Sequence, residues 1–560
     1  MKERYIEWLD VVLGAYSLEH IRSYTQEVRK RGLWEHGFPR LVANLGILIA
    51  HGRKKELTED FVAMMDLCCQ QIPVAHAVNG YGVGNDFSVK EVVFCLLELE
   101  KAGVFPETVT QRWRDELAKI DPYTTYSCIA PTPVRPIGNW AAFAAVSEQL
   151  RKFAGIGDES AFIENQVASQ LFAFDQNGMY RDPHEPMVYD MVTRLQLVVL
   201  LYFGYEGENR ARLLEFIERS ADLTLRMQSV TGEIPYGGRS NQFLLNEAFY
   251  AALCEFYATY FWKKGDKQRA GAFKRAARMA LESILPWLQE ETIRHVKNYF
   301  PRDSFFGCEE YGYFDKYMVT TGSWLYLAYS MAEDAVEELP CPAERENFVW
   351  QTSPDFHKVF CKFGDYFVEM DTKADYHYDA TGIGRIHRRG VPSALCLSMP
   401  FSEHPAYGLA GQRNSSAISL CGGNEELHWM RYTYEESTAF RVVESECAEE
   451  YLRVKTESRW KPDLAITEET LICENGVTLT VEGEGTVEVL LPVFAFDGEI
   501  MTEIRTEETA VEVRYKGHGC RYTAENPIVW SENEYANRNG HYRMAKIRGK
   551  NRVSVKISLE

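Results

Sequence analysis

The sequence predicts an α+β multidomain protein, in which an N-terminal (α/α) toroid, residues 1–340, precedes a C-terminal antiparallel β-sandwich, residues 348–560. Three observations support this prediction. Apolar residues recur at helical spacing as far as about Leu339. Short runs of alternating apolar and polar residues follow Pro340. Finally, a chain of 560 residues is too long for a single small domain.

The first part of the chain contains helical segments separated by turns rich in Gly, Pro, Asn and Asp. The predicted helices cover Arg40–His51, Val89–Lys101, Asn139–Phe153, Glu164–Phe174, Met191–Phe203, Arg210–Met227, Asn246–Lys263, Gln268–Leu288 and Thr321–Asp334. At this spacing, about a dozen helices fit into the N-terminal region. Because no strict repeat is visible, a solenoid is disfavoured. The pattern is typical of two concentric rings of helices around a central cleft, and a generic helical bundle is the alternative.

The C-terminal part is rich in Val, Thr, Tyr and Phe, in short runs bounded by Gly, Asn and Asp, which predicts antiparallel strands. The predicted strands cover Val359–Asp371, Leu395–Met399, Ala417–Cys421, Thr438–Val443, Leu452–Glu457, Thr478–Val481, Thr486–Val493, Ala510–Tyr515 and Val553–Ile557. A domain of this length built from such strands is typically a sandwich of two sheets. We expect it to contribute a loop to the cleft between the helices.

Composition disfavours several classes of function. The formal net charge is −20, from 61 Lys and Arg against 81 Asp and Glu, and such a surface repels nucleic acid and anionic membranes. Neither a signal peptide nor an apolar run near the roughly 20 residues of a membrane span is visible, which predicts a cytoplasmic protein. The 13 cysteines lack CxxC and Cys/His spacing, so we expect no disulfide framework, metal or cofactor. The oligomeric state stays open, a homo-oligomer included.

Carboxylates stand beside aromatic residues in several predicted interhelical turns, most densely within residues 305–324. General acid and base catalysis of acetal hydrolysis needs two carboxyl groups that flank the bond. The candidate catalytic residues are Glu310, Glu309, Asp190, Asp315 and Asp86. Purely structural alternatives exist for two of them, namely a helix cap for Asp86 and an ion pair of Asp190 with Arg194 four residues later.

Cations, amides and aromatic rings in these turns suit an acidic sugar, because a guanidinium binds a carboxylate bidentately and an aromatic ring stacks on a sugar face. The candidate substrate-binding residues are Arg239, Asn241, Asn139, Trp140, Tyr236, Tyr313, Arg194, His184, Arg385, His387 and Arg388. The last three belong to a turn of the β-domain, residues 375–392, whose glycines would allow a close approach to the cleft. A basic surface turn that balances neighbouring acids is the alternative for this segment.

Four stretches resemble a family of carbohydrate-active enzymes: HGFPRLVANLGILIA (His36–Ala50), RPIGNWAAF (Arg135–Phe143), IPYGGRSNQFLLNEA (Ile234–Ala248) and YDATGIGRIHRRGVPSA (Tyr378–Ala394). They are similar to glycoside hydrolase family 154, toroid-plus-sheet proteins of gut bacteria whose described activity is exo-β-glucuronidase. This resemblance extends over nearly the whole chain. The architecture also resembles the heparinase II/III-like polysaccharide lyases. Those lyases place a metal-linked HxHxD-type stretch in the β-domain, which HYD at His377–Asp379 matches only in part.

Pattern and resemblance together predict a glycoside hydrolase that releases terminal, β-linked glucuronic acid. The carboxyl pair would flank the glycosidic bond, one protonated and one ionised. Arg239, helped by Arg385 or Arg388, would hold the uronate carboxylate, while Trp140 and Tyr313 would stack on the ring. The expected partner is therefore a carbohydrate that contains uronic acid.

Two alternatives remain open. The first is a lyase that removes the C5 proton of a uronate and expels the 4-substituent. In this reaction Asn139, Arg239 or His387 would neutralise the carboxylate, and a Tyr and a His, for instance Tyr317 and His184, would share the roles of base and acid. The second is a non-catalytic carbohydrate-binding protein, which would bind the sugar without turnover.

Overall fold

The computed structural model describes residues 2–183, 186–373, 378, 381–398, 440–461 and 464–560. Within these ranges the α-helices are α1 Lys2–Gly14, α2 Leu18–Arg31, α3 Gly37–Ala50, α4 Thr58–Asn79, α5 Asn85–Lys101, α6 Glu107–Leu117, α7 Pro122–Thr125, α8 Trp140–Phe153, α9 Ser160–Leu171, α10 Met187–Tyr202, α11 Arg210–Arg219, α12 Ala221–Arg226, α13 Leu244–Lys263, α14 Lys267–Leu288, α15 Phe314–Met331 and α16 Pro342–Arg345. The predicted helical character of the N-terminal region is therefore confirmed.

Six of the described helices close a ring. Helix α3 packs on α5, α5 on α8, α8 on α10, α10 on α13 and α13 on α15, which returns to α3. Helices α1, α4, α9 and α14 pack against the outside of this ring. Because the ring helices are covered on both sides, they are apolar almost all round; in α3, residues 37–49 are all buried. This is the arrangement that an (α/α) toroid requires.

Two differences from the predicted helices have local causes. The single helix predicted over residues 210–227 is divided into α11 and α12 at Ser220. The Ser220 hydroxyl donates to the carbonyl oxygens of Phe216 and Ile217, and such bonds compete with the helical ladder. Helix α2 escaped prediction because it is polar, although Ser17 caps it by accepting a hydrogen bond from the backbone N–H of His20.

One described segment, Lys55–Asn79, is long and apolar enough to cross a membrane by length and composition alone. A core helix of a soluble protein meets the same criterion. The segment contains α4, whose apolar side chains Phe61, Met64 and Cys68 are fully buried. Helix α4 packs against α5 and α6.

The described strands are β1 Phe348–Gln351, β2 Lys358–Phe363, β3 Tyr366–Asp371, β4 Gly382–Arg388, β5 Leu397–Ser398, β6 Arg441–Cys447, β7 Leu452–Lys461, β8 Leu464–Cys473, β9 Gly476–Phe496, β10 Glu503–Thr506, β11 Ala510–Tyr515, β12 His518–Ala524, β13 Ile528–Asn537 and β14 Gly540–Leu559. Strands β1 to β5 form one antiparallel sheet in chain order. The others form a second antiparallel sheet in the order β10-β11-β12-β14-β9-β8-β7-β6, with β13 paired to β14. The antiparallel character of this region is confirmed.

Residues of both sheets, among them Val368 of β3 and Leu479 of β9, share one apolar core. The predicted strand over residues 359–371 is a hairpin of β2 and β3, with a turn at Gly364, whose φ of +53° favours glycine. The two strands predicted within residues 478–493 are one continuous strand, β9, which pairs with the equally long β14. The predicted strand Ala417–Cys421 lies outside the described residues. Of the predicted strand Thr438–Val443, only the first two residues lie outside them, and its last three belong to β6.

The helices and the first sheet share their packing. Phe360 and Phe367 of the sheet belong to the apolar core of the helices, whereas Tyr236 of the helical region belongs to the core of the sheets. At Gly384 of β4 a Cβ atom would lie 1.7 Å from the ring of Tyr236, so glycine makes this insertion of the ring possible. The loop between α12 and α13, which contains Tyr236, is therefore held from both sides.

Candidate active site

A cavity of about 450 Å³ lies at the N-terminal ends of the six ring helices. Each of these helices contributes a lining residue from its first turn or from the position next to it, and the loop between α12 and α13 completes the wall. The lining side chains with polar groups are His36, Arg40, Asn139, Trp140, Tyr189, Arg239, Ser240, Tyr311, Lys316, Tyr317, Thr320 and Trp324. No Asp or Glu belongs to the part of this lining that the structure describes. A volume of this size suits a small ligand.

The electrostatic field in the cavity favours an anion. Each helix has a partial positive charge at its N-terminus, and here six such ends face one space. Three cationic side chains, Arg40, Arg239 and Lys316, line the same space. The whole chain has a net charge of −20, so this cavity differs in sign from the protein around it.

Three tyrosine hydroxyls converge on the hydroxyl of Ser240. The oxygen–oxygen distances are 3.1 Å to Tyr189, 3.1 Å to Tyr311 and 2.9 Å to Tyr317. The three phenols come from α10, from the segment before α15 and from α15 itself. Burial raises the pKa of Tyr317 and of Tyr311 well above the usual value, so both carry their protons at neutral pH.

The hydrogen-bonding capacity of this cluster leaves one phenolic proton for a ligand. A serine hydroxyl donates one hydrogen bond and accepts two. If two tyrosines donate to Ser240, the serine hydroxyl donates to the third, and that third phenol keeps its own proton for another acceptor. The cluster can therefore present a proton donor to a bound substrate.

Arg239 and Lys316 are the cations that a ligand can reach. The Arg239 guanidinium forms an ion pair with Asp182, donates to the carbonyl oxygen of Pro183 at 2.8 Å and lies 4.3 Å from the centre of the Tyr189 ring. Lys316 has no ion-pair partner among the described residues, and burial lowers the pKa of its ammonium group. A cation without a partner in a buried cavity is stabilised by an anionic ligand.

Arg40 and His36 lie one helical turn apart at the start of α3. A nitrogen of the Arg40 guanidinium lies 2.5 Å from Nδ1 of His36 and 2.8 Å from the hydroxyl of Thr320. Since a guanidinium only donates, Nδ1 of His36 accepts and the proton of the neutral ring is on Nε2. Burial, helped by Arg40 and Lys316, lowers the pKa of His36 well below its usual value, which keeps the ring neutral.

Asn139 and Trp140 form another part of the wall. Asn139 immediately precedes α8, but its side chain does not cap that helix, so its amide group can serve a ligand. The Trp140 ring packs edge-on against Phe87 with 4.9 Å between ring centres. An amide beside an indole suits a sugar ring, which needs hydrogen bonds at its rim and an apolar face.

Of the predicted site residues, the structure brings Arg239, Asn139 and Trp140 together in this cavity, with Tyr317 from the lyase alternative. The sequence analysis missed His36 and Arg40 as site residues. The available signal was Arg40 in a largely apolar helix with His36 four residues before it, because polar residues on a buried helix face need partners or a ligand. His184 lies outside the described residues.

The predicted catalytic carboxylates do not line this cavity. Asp86 is fully buried in α5 and accepts hydrogen bonds from the backbone N–H groups of Ser127 and Cys128. Asp190 and Arg194 form a fully buried bidentate ion pair on α10, with distances of 2.9 and 2.7 Å. The ion pair named as the alternative for Asp190 is therefore confirmed. Asp86 instead holds the loop at Ser127 and does not cap α5, so neither the catalytic role nor the helix cap describes it.

Two further predicted catalytic carboxylates, Glu310 and Asp315, lie near the start of α15 but outside the cavity. Glu310 is exposed to solvent. Asp315 lines a separate pocket of about 380 Å³ together with Tyr313, and its carboxylate lies 3.1 Å from Nε2 of His20. Tyr313 is therefore not part of the wall that contains Trp140, contrary to the prediction. Within that second pocket, burial raises the pKa of Glu35 to about 7.

Glu309, the remaining predicted catalytic carboxylate, is buried between the Ser240 backbone and Arg538. Its Oε1 accepts a hydrogen bond of 2.5 Å from the backbone N–H of Ser240. Both carboxylate oxygens also accept from Arg538, at 2.6 and 2.9 Å. Glu309 thus contacts the loop behind the tyrosine cluster rather than the cavity itself.

Arg385, His387 and Arg388, predicted to lie in a turn, belong to strand β4, which faces the junction between helices and sheets. Arg385 is buried, donates to the carbonyl oxygen of Ile234 at 2.6 Å and lies 3.7 Å from Glu369. The Nδ1 atom of His387 lies 2.9 Å from the hydroxyl of Ser229. Both residues are buried at this junction and neither lines the cavity, so the prediction that they bind substrate there does not fit their positions.

Arg388, Tyr236 and Asn241 are likewise engaged away from the cavity. Arg388 donates to the carbonyl oxygen of Leu559 at 2.5 Å. The Tyr236 ring is buried among the sheets, and the Asn241 amide donates to the carbonyl oxygen of Pro235 at 2.9 Å, within its own loop. Asn241 therefore shapes the loop that carries Arg239.

The described residues contain no cluster of metal-ligating side chains. Within them no group of three or more His, Cys, Asp or Glu side chains could hold a metal ion. His377 and Asp379, which resemble part of a metal-binding stretch, lie outside the ranges that the structure describes.

Comparisons with known proteins place the fold only loosely. No protein-family model and no curated protein matches the sequence. Among solved structures, the heparan sulfate lyase HepC from Pedobacter heparinus is similar with 10% identity and a TM-score of 0.47, over 94% of this chain and 76% of that chain. Heparinase III is similar with 10% identity and a TM-score of 0.42, over 85% of this chain and 69% of that chain. A polysaccharide lyase is similar with 13% identity and a TM-score of 0.35, over 59% of this chain and 97% of that chain.

At these identities and TM-scores, neither activity nor residue roles transfer to this chain. The resemblance to glycoside hydrolase family 154 stays a prediction from the sequence. The function has to be argued from the residues around the cavity.

Proposed function

We propose that the protein is an enzyme that cleaves a uronate-containing carbohydrate by β-elimination. One observation carries the proposal: the described cavity wall combines cations and phenols with six helix N-termini and contains no carboxylate. Acetal hydrolysis needs two carboxyl groups across the bond. Elimination needs instead a neutralised carboxylate, a base and an acid. The chemistry of the wall therefore supports the lyase alternative better than the hydrolase.

The cations would bind the uronate carboxylate. Arg239 and Lys316 supply the positive charge, and the amide of Asn139 supplies a hydrogen-bond donor. Withdrawal of the carboxylate's negative charge makes the C5 proton more acidic, because the charge that develops on C5 spreads into the carboxylate group. The positive helix ends act in the same direction.

The reaction then moves one proton to a base and one to the leaving group. The C5–H bond breaks, its electron pair forms the double bond between C4 and C5, and the C4–O bond breaks with its electrons on the oxygen. Tyr317, with the cluster around Ser240, would donate a proton to that oxygen. The base would then be His184, which the sequence analysis pairs with Tyr317 for this proton transfer.

The test compares two kinds of product. The protein is incubated with a panel of uronate polysaccharides and, separately, with 4-nitrophenyl β-glucuronide. Elimination produces a conjugated uronate that absorbs in the ultraviolet, and we expect this signal to grow with the polysaccharides. Release of 4-nitrophenol with no such absorbance would establish hydrolysis instead. Uronate binding without either product would overturn both reactions in favour of a carbohydrate-binding protein.

A further inference from the structure

We infer that Arg538, from the turn between β13 and β14, is a positioning residue of the active site that acts through Glu309 on Ser240. This inference rests on the proposed function for its kinetic consequences, whereas the placement of Ser240 can be tested without it. Arg538 lies outside the helical region that forms the cavity wall.

A continuous series of buried contacts joins Arg538 to the tyrosine cluster. The Arg538 guanidinium donates to both oxygens of Glu309, at 2.6 and 2.9 Å. Oε1 of Glu309 accepts from the backbone N–H of Ser240 at 2.5 Å. The Ser240 hydroxyl then lies within 3.1 Å of three phenols.

Ser240 needs such support because its backbone is unfavourable. Its φ is +58°, a left-handed conformation that residues other than glycine rarely adopt. Backbone strain of this kind persists where the surroundings over-determine it. Here Glu309 holds the N–H of Ser240, and the Asn246 side chain donates to its carbonyl oxygen at 3.0 Å.

Glu309 in turn depends on Arg538. The carboxylate is only 1% exposed, and a buried charge without a counter-charge is strongly destabilising. Arg538, at 3% exposure, is the cation that pairs with it. Without this guanidinium, the buried carboxylate would lack a counter-charge and would move towards water, which weakens its hold on Ser240.

Arg538 is itself held firmly against the helical region. Its guanidinium donates to the carbonyl oxygen of Gly307 at 2.7 Å, and its own carbonyl oxygen accepts from Asn298 at 2.8 Å. Gly307 has a φ of +74°, and a Cβ atom there would lie 2.9 Å from the Arg538 backbone, so glycine allows the close approach. The sheet region thereby takes part in the geometry of the active site.

Substitution of Arg538 by Gln is expected to lower kcat roughly tenfold to a hundredfold, the scale of a misplaced reacting group. KM for a uronate oligosaccharide should change much less, because Arg239 and Lys316 stay in place. Arg538→Lys, which keeps the charge but loses the bidentate geometry, should recover part of kcat. The double variant with Glu309→Gln should be no slower than the slower single variant, because both act through one contact.

Glu499→Gln is the matched control. Glu499 of the sheet region pairs with Arg294 of the helical region at 2.8 Å, so this change also removes an ion pair across the junction, but away from Ser240. We expect its kcat and KM to equal those of the wild type. Unchanged kcat in folded Arg538→Gln, or equal losses in Glu499→Gln, would overturn the inference.

A crystal structure of Arg538→Gln separates the inference from the proposed function. We expect the Ser240 hydroxyl to leave hydrogen-bond distance of at least one of the three phenols. An unchanged Ser240 would overturn the inference whatever reaction the protein catalyses. If the wild type produces no unsaturated uronate, the proposed function fails, and this structural result still decides whether Arg538 positions Ser240.

Discussion

Two charged regions of the molecule differ in how their charges are balanced. At the junction of helices and sheets, Lys358 lies 2.8 Å from Asp371, and Lys297 lies 2.9 Å from Glu247. In the cavity, Lys316 has no such partner among the described residues. A cation that the protein neutralises stabilises the fold, whereas one that it leaves unpaired inside a cavity is suited to an anionic ligand.

The largest expected effect concerns the balanced region. Replacement of Arg385 by Met leaves the buried carboxylate of Glu369 with less compensation, and we expect a loss of roughly 3–5 kcal/mol in the free energy of unfolding, measured with urea. Arg388→Met is the control, because this half-buried guanidinium donates to a backbone carbonyl, and its loss should cost about 1 kcal/mol. A raised KM in Arg385→Met with unchanged stability would restore Arg385 as a substrate-binding residue.

The next effect belongs to the cavity. Tyr317→Phe removes a hydroxyl that contacts Ser240 at 2.9 Å, and kcat should fall about a hundredfold, the scale for loss of an acid or base. Tyr326→Phe on the same helix is the control. Its hydroxyl is buried with no described hydrogen-bond partner, so activity and folding should be preserved. If kcat is unchanged in Tyr317→Phe, Tyr317 has no part in proton transfer.

Arg239→Ala should weaken recognition of the uronate. Loss of a charged hydrogen bond is worth about 1.5–3 kcal/mol, which corresponds to a rise in KM of roughly tenfold to a hundredfold. The same change should affect a matched neutral hexoside far less, because that sugar has no carboxylate. Equal losses with both sugars would show that Arg239 shapes the loop without contacting the uronate.

The unpaired lysine should make uronate binding depend on pH. Burial lowers the pKa of Lys316, with Arg40 acting in the same direction and Glu35 opposing it. A lysine is charged only below its pKa, and an ordinary lysine has a pKa of about 10.4. Because the pKa of Lys316 is lower, it loses its charge at a lower pH, and KM should rise severalfold there. Lys316→Arg should remove this rise. A KM with the same pH dependence in both proteins would contradict the role of Lys316.

The smallest effect is expected at Glu310. This side chain is exposed, so Glu310→Gln should change kcat by less than about twofold, as is usual for surface substitutions. The hydrolase interpretation gives the opposite expectation, a large loss of turnover. A hundredfold drop in kcat would therefore return Glu310 to the mechanism and overturn the lyase proposal.

Long apolar helices and regularly alternating strands were predicted well. The predicted helix Asn246–Lys263 corresponds to α13, Leu244–Lys263, and the predicted strand Ala510–Tyr515 coincides with β11. Helix α2 was missed because it has few apolar residues, although Ile21, Tyr24 and Val28 recur at helical spacing. The hairpin of β2 and β3 was missed because its tight turn leaves little signal in the sequence. Arg239, Asn139 and Trp140 were found as site residues because they stand in loops or at a helix start.

The carboxylates show why the remainder of the site could not be predicted. Glu309 and Glu310 are neighbours in an aromatic segment, yet one is buried against Arg538 and the other is exposed. Nothing in the local sequence distinguishes them, since the partner of Glu309 is 229 residues away. The segment with Arg385 was predicted to bind substrate for the same reason, since its contacts with Glu369 and Ile234 cannot be read from the local sequence.

The amino-acid sequence alone determined the helical first part and the stranded second part of this protein, because the 3.6-residue and two-residue periods of apolar side chains are local properties. Only the tertiary structure decided which charges are neutralised and which face a cavity. That balance depends on contacts between distant segments, and closure of the ring of helices is what brings six helix N-termini, three phenols and Lys316 to one place.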